Sequence, residues 1–357
     1  MATIPLDDLL RLVIEEEASD LHLSVGVPPT LRLKGLLTPL NISVLTAADM
    51  ETLARGLARP DQMERVSTDG SVDFGFSFRD NRFRVSVYRE RGNLAAAVRM
   101  LPLRLLAMEA IGLPPAVREL LELPRGLVLV TGPTGSGKTT SLASMLTKIN
   151  DGSPRHIITI EDPIEYFIDH RRGIVNQREV GVDVPSFAEG LRRALRQDPD
   201  VILVGEMRDL ETIETAITAA ETGHLVFSTL HTTGAARTLD RIIDAFDSQR
   251  QQQIRVQLSM NLKAVVSQLL LPRKDGTGRI AVFEVMINTP SIGSLLRDNK
   301  SYRIHNEILT GSKYGMVALE VSLVDLYHRG LITRDQVVSY AQDPEVARQL
   351  LGERSAI

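Results

Sequence analysis

The sequence predicts an α/β protein in two parts, on three observations. From Gly126 onward, short continuous apolar runs (LVLV, HIITI, VILV, LVFSTL) alternate with stretches of helical periodicity. Buried parallel strands joined by crossover helices read this way. The first of those runs leads into GPTGSGKTT, a glycine-rich loop opening a helix. Before residue 100 the pattern differs: short alternating strands and two amphipathic helices predict a small α+β domain.

Taken in order, residues 5–18 place Leu9, Leu10, Val13 and Ile14 on one helical stripe. SDLHLSVG alternates as a strand does, Pro28-Pro29 breaks it, and LRLKGLLTPL reads as a further strand and turn. TAADMETLARGLA (46–58) is helical, with Thr46 as N-cap. The clearest hairpin is 71–88. Val72, Phe74, Phe76 and Phe78 share one face of its first strand, Phe83, Val85 and Val87 share one face of its second, and RDN supplies the turn. This gives a domain at 1–100, a proline-rich connector at 101–125, and a second domain at 126–357 whose tail from about 250 is helical.

Composition narrows the function. The chain has 357 residues, enough for two domains with substantial cores. A net charge of −4 gives no support for a nucleic-acid binder, and 4% aromatic residues with no tryptophan leave few stacking platforms. The absence of cysteine excludes disulfides, thiolate chemistry and cysteine-based zinc sites, and fits a reducing compartment. No apolar run approaches the roughly 20 residues that span a bilayer. The N-terminus carries acids early and lacks a basic region, unlike a secretory signal. A cytosolic location is expected, with any membrane association made through a partner.

Gly132 to Thr139 fits G-x-x-x-x-G-K-[ST] in full, between a strand and a helix. Backbone N–H groups of such a loop point at phosphate oxygens, the lysine reaches the β/γ-phosphates and the following hydroxyl holds Mg²⁺. Gly132, Pro133, Thr134, Gly135, Ser136, Gly137, Lys138, Thr139 and Thr140 are therefore the expected phosphate-binding set, with Lys138 and Thr139 in those two roles. Two acidic clusters follow strands: Glu161, Asp162 and Glu165 in HIITIEDPIEY, and Glu206 two residues after VILV. A carboxylate at the C-terminal end of a parallel strand sits beside the phosphate loop. It can bind Mg²⁺ through water or orient the attacking water. Glu206 is the favoured hydrolytic carboxylate, while Asp162 could equally cap a helix or serve an ion pair.

His224 and His231 bracket the strand LVFSTL. Seven strand residues at ~3.3 Å each separate them by about 23 Å, and the odd spacing points them to opposite faces. They cannot share one metal ion. His231, at the phosphate-loop edge, could meet a γ-phosphate or a neighbouring carboxylate; His224, at the far end, reads as support for a helix or subunit contact. Arg82 and Arg84 share a hairpin face, with Arg99 close behind. They form a solvated basic face, a nucleic-acid patch, or arginine fingers for phosphoryl transfer.

Together these residues resemble the secretion ATPase superfamily, and within it the PilT-type twitching motility motors. GPTGSGKT resembles the Walker A box, ITIEDPIEY the Asp box, DPDVILVGEMRDLETI the Walker B box and TGHLVFSTLHTT the His box. ASDLHLSVGVPP, NQREVG and GMVALEVSLVDLYHRGLIT also have family counterparts, so the likeness runs along nearly the whole chain. The resemblance implies a PAS-like N-terminal domain, a RecA-like P-loop ATPase domain, and a homohexamer that binds ATP and Mg²⁺ between the two domains. It implies that Glu206 is the catalytic glutamate and that Glu161, Asp162 and Glu165 assist Mg²⁺ and water. Thr139, Glu161 and Glu206 would hold the Mg²⁺, partly through water. It further implies that His231 senses the γ-phosphate and that Arg82, Arg84 and Arg99 are the candidates to close on it. The implied partner is an inner-membrane pilus platform protein, with a paralogous retraction ATPase as a second partner, no nucleic acid, and a cytoplasmic location peripheral to the inner membrane. Assembly relatives usually carry a long extra N-terminal domain and a tetracysteine zinc site; this chain opens almost directly on the PAS-like domain and has no cysteine, which favours retraction. The stretch SIGSLLRD (291–298) departs from the family's usual AIRNLIRE, as does Ser259-Met260-Asn261 from its usual acidic version. An accessory paralogue with weak turnover, an assembly or type II secretion ATPase, and a nucleic-acid translocase are the alternatives.

Overall fold

The computed structural model describes residues 4–101 and 105–352. Pro102 of the expected connector and residues 353–357 of the expected second domain lie outside the described residues. The chain divides into two compact units. One runs to Leu105 and also takes in Asp162–Phe167; the other comprises Leu106–Glu161 and the chain from Ile168 onward.

The first unit holds α1 (Leu6–Glu15), β1 (Asp20–Leu23), β2 (Thr30–Leu33), β3 (Leu36–Pro39), α2 (Ala47–Leu57), α3 (Pro60–Asp69), β4 (Ser71–Phe78), β5 (Asn81–Glu90) and β6 (Asn93–Met100). The strands form one antiparallel sheet in the order β3-β2-β1-β6-β5-β4. Thr46 caps α2 reciprocally: its hydroxyl accepts from Asp49 N–H and the Asp49 carboxylate accepts from Thr46 N–H, an arrangement that stabilises a helix start by about 1 kcal/mol. Leu9, Leu10 and Val13 of α1, Met50 and Leu53 of α2, and Phe74, Phe83, Val85 and Val87 of the sheet are buried together. Phe76 and Phe78, expected on the same face as Val72 and Phe74, pack against this core but are only half-buried, on β4 at the edge of the sheet.

A charged row crosses this sheet. Asp20 lies opposite Arg32 on one side and Arg99 on the other, and Arg84 lies opposite Arg99. Arg99 Nε donates to Asp20 Oδ1 at 2.8 Å. Burial pushes the Asp20 carboxyl up, but hydrogen bonds from Arg99 and Ser19 outweigh it and hold it below the usual aspartate value.

The second unit holds α4 (Met108–Ile111), α5 (Ala116–Leu120), β7 (Gly126–Thr131), α6 (Lys138–Gly152), β8 (His156–Glu161), β9 (Ile174–Glu179), α7 (Phe187–Ala194), β10 (Val201–Val204), α8 (Leu210–Glu221), β11 (Leu225–Leu230), α9 (Ala235–Ile243) and α10 (Ser248–Asn261). Then come β12 (Leu262–Pro272), β13 (Arg279–Ile287), α11 (Pro290–Arg297), α12 (Ile304–Thr310), α13 (Leu319–His328), α14 (Arg334–Tyr340) and α15 (Pro344–Leu350). The sheet order is β13-β12-β7-β11-β10-β8-β9, parallel throughout except for β13. Both faces are covered. Leu127, Leu129, Ile158, Ile160, Ile202 and Val226 pack with α8, α9 and α10. Their sequence neighbours Val128, Val130, Ile157, Val201 and Phe227 pack on the opposite face with α5 and α6. Period-two alternation between two apolar faces explains why these strands read as unbroken apolar runs. No helix of the described residues is long and apolar enough to cross a membrane.

Two stretches differ from the sequence expectation. The helical tail expected from about 250 begins with α10, but β12 and β13 follow and extend the main sheet. The polar pair Ser267-Gln268 interrupts the apolar run of β12 and hides its strand character. The connector expected at 101–125 is packed in its described second half: Met108, Val117 and Leu120 are buried against β7 and α6. Its prolines punctuate short helices lying on that face.

Phe83 is fully buried at the centre of the first unit. Phe83→Ala is expected to destabilise that unit by about 3–5 kcal/mol, through lost burial plus the cavity left behind. Chemical denaturation followed by circular dichroism checks this; a midpoint unchanged from wild type would refute the packing.

Candidate active site

Parallel pairing brings the C-terminal ends of β7, β8, β10 and β11 to one edge. Crevices outside such strand ends are where open α/β sheets place ligands. Gly132 to Gly137 form the loop between β7 and α6, and Lys138, Thr139 and Thr140 make the first turn of α6. Gly132 sits against β12, where a Cβ would lie 2.1 Å from the Gln268 carbonyl oxygen; only glycine fits there. Gln268 also accepts from Ser141 Oγ at 2.8 Å, joining β12 to α6 beneath the loop. Lys138 is buried and folds back to donate from Nζ to the carbonyls of Gly132 at 2.8 Å and Pro133 at 3.1 Å.

The carboxylate and histidine of interest meet directly. Glu206 follows β10 and His231 follows β11. His231 Nε2 lies 3.1 Å from Glu206 Oε1, and His231 Nδ1 lies 3.2 Å from Thr134 Oγ1 in the glycine loop. An ionised carboxylate only accepts, so His231 donates from Nε2 to Glu206. The other Glu206 oxygen, Oε2, pairs with Arg208 Nε at 2.8 Å. Burial pushes the Glu206 carboxyl up, but Arg208 and His231 outweigh it and hold it below the usual glutamate value of 4.5. Such a group stays anionic at neutral pH. It is a weak proton acceptor and suits aligning a water better than deprotonating it.

Glu161 ends β8, is buried, and accepts from Thr159 Oγ1 at 2.6 Å and Gln177 Nε2 at 3.0 Å. Asp162 is exposed and Glu165 half-buried; both lie in the segment that belongs to the first unit. So do the three arginines. Arg82 donates to the Ile164 carbonyl at 3.2 Å and to Ser77 Oγ at 3.0 Å, and its guanidinium lies 4.8 Å from the Phe167 ring centroid. Arg99 is committed to Asp20. Among the described residues Arg84 makes no ion pair. His224, at the other end of β11, donates from Nδ1 to the Ala219 carbonyl at 2.9 Å and so fastens the end of α8.

The donor set fits a phosphate. Thr131 Oγ1 and Ser136 Oγ, before and within the loop, are buried hydroxyls without a hydrogen-bond partner, which costs free energy unless a ligand supplies one. Among the described residues no three His, Asp, Glu or Cys side chains cluster as a protein-made metal cage.

A family model described as "Type II/IV secretion system protein" matches residues 3–276. The chain belongs to that family. It is 44% identical over 341 residues to the Type IV pilus retractation ATPase PilT of Pseudomonas aeruginosa, covering 95% of this chain and 99% of that one. It is 44% identical over 318 residues to a twitching motility protein of Neisseria gonorrhoeae, covering 89% of this chain and 85% of that one. A crystal structure of the pilus retraction motor PilT with bound ADP matches with a TM-score of 0.90 at 44% identity, over 98% of this chain and 100% of that chain.

Several residues around the site escaped sequence reasoning. Arg208 stands two positions after Glu206 in GEMRD, and that spacing was its signal. Gln177 and Thr159 are legible only once β8 and β9 are paired, Gln177 opposite Thr159. Ser267, Gln268 and Glu284 sit on the two strands read as helical tail. Glu284 is 1% exposed and accepts from Ala235 N–H at 2.7 Å and from Gln342 Nε2 at 2.7 Å.

Two pH responses follow. The Glu206 carboxyl is depressed, so its ionised contacts persist above 4.5 and are lost only as pH falls through its still lower folded value; turnover is expected to show no Glu206-dependent acid limb above about pH 4.5, as a pH–kcat profile would record. Burial, with the repulsion of Glu320, drives the Glu284 carboxyl up to about 7, although the bonds from Ala235 and Gln342 lower it. Its contribution to stability is complete below 4.5 and is lost as pH rises through about 7. Glu284→Gln is expected to flatten that fall in a thermal-unfolding series from pH 5 to 8, and an unchanged slope would contradict the assignment.

Proposed function

We propose that this chain is an ATP-hydrolysing motor that powers retraction of type IV pili, and with it twitching motility. The observation that carries the reading is the link from Thr134 of the glycine loop through His231 to Glu206. It joins the group that holds phosphate to the group that handles water. Membership of the secretion family and the likeness to retraction motors supply the machine in which such turnover is used.

In this reading the loop N–H groups and the N-terminus of α6 receive the phosphates. Lys138 exchanges its two backbone carbonyls for β/γ-phosphate oxygens. Thr139 would hold Mg²⁺ directly and Glu161 and Glu206 would reach it through water; the ion would supply neutralisation of the phosphate charge. Glu206, kept anionic, aligns the attacking water, and Glu161, Asp162 and Glu165 shape the Mg²⁺ and water environment. His231 senses the γ-phosphate because its hydroxyl partner Thr134 belongs to the phosphate loop. Of the arginines, Arg84 is the best placed chemically to serve phosphate, since Arg82 and Arg99 already have partners. The motor works as a homohexamer on an inner-membrane platform protein, alongside a paralogous retraction motor, with ATP binding shifting each subunit's conformational population.

An accessory role with weak turnover is the second reading. It is favoured by the α10–α11 contact, where Arg297 donates to Ser259 Oγ at 3.2 Å and Asn288 Nδ2 donates to the Ser259 carbonyl at 3.0 Å. That contact lies where the chain departs from the family pattern. ATP turnover by the purified protein alone separates the two readings.

Lys138→Ala is expected to abolish ATP binding. Glu206→Gln should still bind ATP while kcat falls about 10²-fold, the cost of a misaligned water. In a deletion strain, excess surface pili with lost surface motility, restored by wild type and by neither variant, would establish retraction. Absent pili would point to assembly or secretion.

A further inference from the structure

The loop that carries His231 is gripped from below and behind. Three residues after His231, Gly234 N–H donates to Ser267 Oγ of β12 at 2.9 Å. The next N–H, of Ala235 at the start of α9, donates to Glu284 Oε1 of β13 at 2.7 Å. Thr238 Oγ1 donates to the Gly234 carbonyl at 2.8 Å and lies 2.7 Å from Thr232 Oγ1. Gly234 has φ +88°, and a Cβ there would stand 2.7 Å from Gln342 Nε2, so the loop is pressed against that side chain.

Gln342 continues the chain of bonds. Its side-chain amide donates to Glu284 Oε2 at 2.7 Å, and its backbone N–H and that of Asp343 donate to Glu320 Oε1 at 2.9 Å each. Glu320 is 0% exposed on α13, and Gln342 and Asp343 join α14 to α15. Two buried carboxylates thus sit in series between the His231 loop and the last three helices. Burying carboxylates is costly, even with His305 Nε2 3.9 Å from Glu320 Oε2, and an apolar pair would pack as well. Hydrogen bonds of defined direction are what carboxylates add, and here each ends on a backbone N–H whose position matters.

We infer that Glu284 is a positioning residue for ATP hydrolysis: with Gln342 and Glu320 it ties α13–α15 to the start of α9 and so sets where His231 stands between Thr134 and Glu206. The inference rests on the catalytic reading of His231 given above and adds to it. The C-terminal helices act on turnover without touching substrate, and a shift of α13–α15 is felt at the hydrolytic carboxylate.

The test is a double-mutant cycle in the full-length protein, measuring kcat and KM for ATP, with thermal unfolding as a control. Gln342→Ala and Glu284→Ala are expected to lower kcat about 3- to 30-fold, with KM for ATP within about twofold of wild type. Glu284→Gln keeps an oxygen for Ala235 N–H and, with the Gln342 amide turned over so that its oxygen accepts, keeps the bond to Gln342; it is expected to retain wild-type kcat. In a His231→Ala background, Gln342→Ala is expected to cause no further loss, because the two act through one element. Equal losses in both backgrounds would overturn the inference and leave the role of His231 intact. Wild-type turnover by His231→Ala would overturn both. If Glu284→Ala fails to fold, Gln342→Ala carries the test: a lowered melting temperature with unchanged kcat would show a purely structural tie and refute positioning.

Discussion

Side-by-side pairing of β7 and β11, with Thr131 opposite Leu230, is the constraint on which the rest of this site depends. Each strand delivers its next few residues to the same edge, one the glycine loop and the other His231. Parallel register is fixed because both faces are buried: a one-residue slip would turn every Leu127 and Leu129 contact to the opposite helices. The hydrogen bond between Thr134 and His231 therefore follows from core packing far below it. Glu206 joins them because β10 pairs with the other side of β11. Precision at the edge comes from the apolar interior, and the polar residues need only be the right length.

The electrostatics at that edge are weighted toward alignment. Glu206 is caught between Arg208 and His231, so both its oxygens have donors and its charge is retained. An arrangement that lowers the carboxyl's basicity gives up some capacity to take a proton. It gains a fixed negative point against which water can be oriented, which suits a loose phosphoryl-transfer transition state where positioning dominates.

The parts legible in the sequence were those fixed by local chemistry. The glycine loop declares itself because backbone curvature and phosphate binding both demand residues that little else uses. Glu206 and His231 were legible because each closes an apolar run. The hairpin at 71–88 was legible from alternation, yet the half-burial of Phe76 and Phe78 was not, since periodicity records a face and says nothing of which strand lies at the sheet's edge. What stayed hidden is what tertiary pairing alone creates. Strand β12 was masked by Ser267-Gln268, two polar residues whose purpose appears only beside the glycine loop and the His231 loop. Glu284 looks like an ordinary solvent-facing charge until β13 is seen buried on both sides. The prolines of 101–125 read as a spacer, although Met108, Val117 and Leu120 anchor the segment in a core. Arg99, one of three equivalent arginines in the sequence, turned out to be spoken for by Asp20, seventy-nine positions away.

The strip Asp162–Phe167 belongs to the first unit, while the residue before it, Glu161, ends a strand of the second. A peptide bond therefore joins a buried carboxylate of the nucleotide edge to six residues whose Ile164 carbonyl and Phe167 ring are held by Arg82. The chain passes from one unit to the other three times, at Leu105–Leu106, Glu161–Asp162 and Phe167–Ile168. The same thread makes the first unit discontinuous in sequence. A fragment ending at Leu105 would lack its own closing strip, and the molecule cannot be cut into two self-sufficient pieces at any single point.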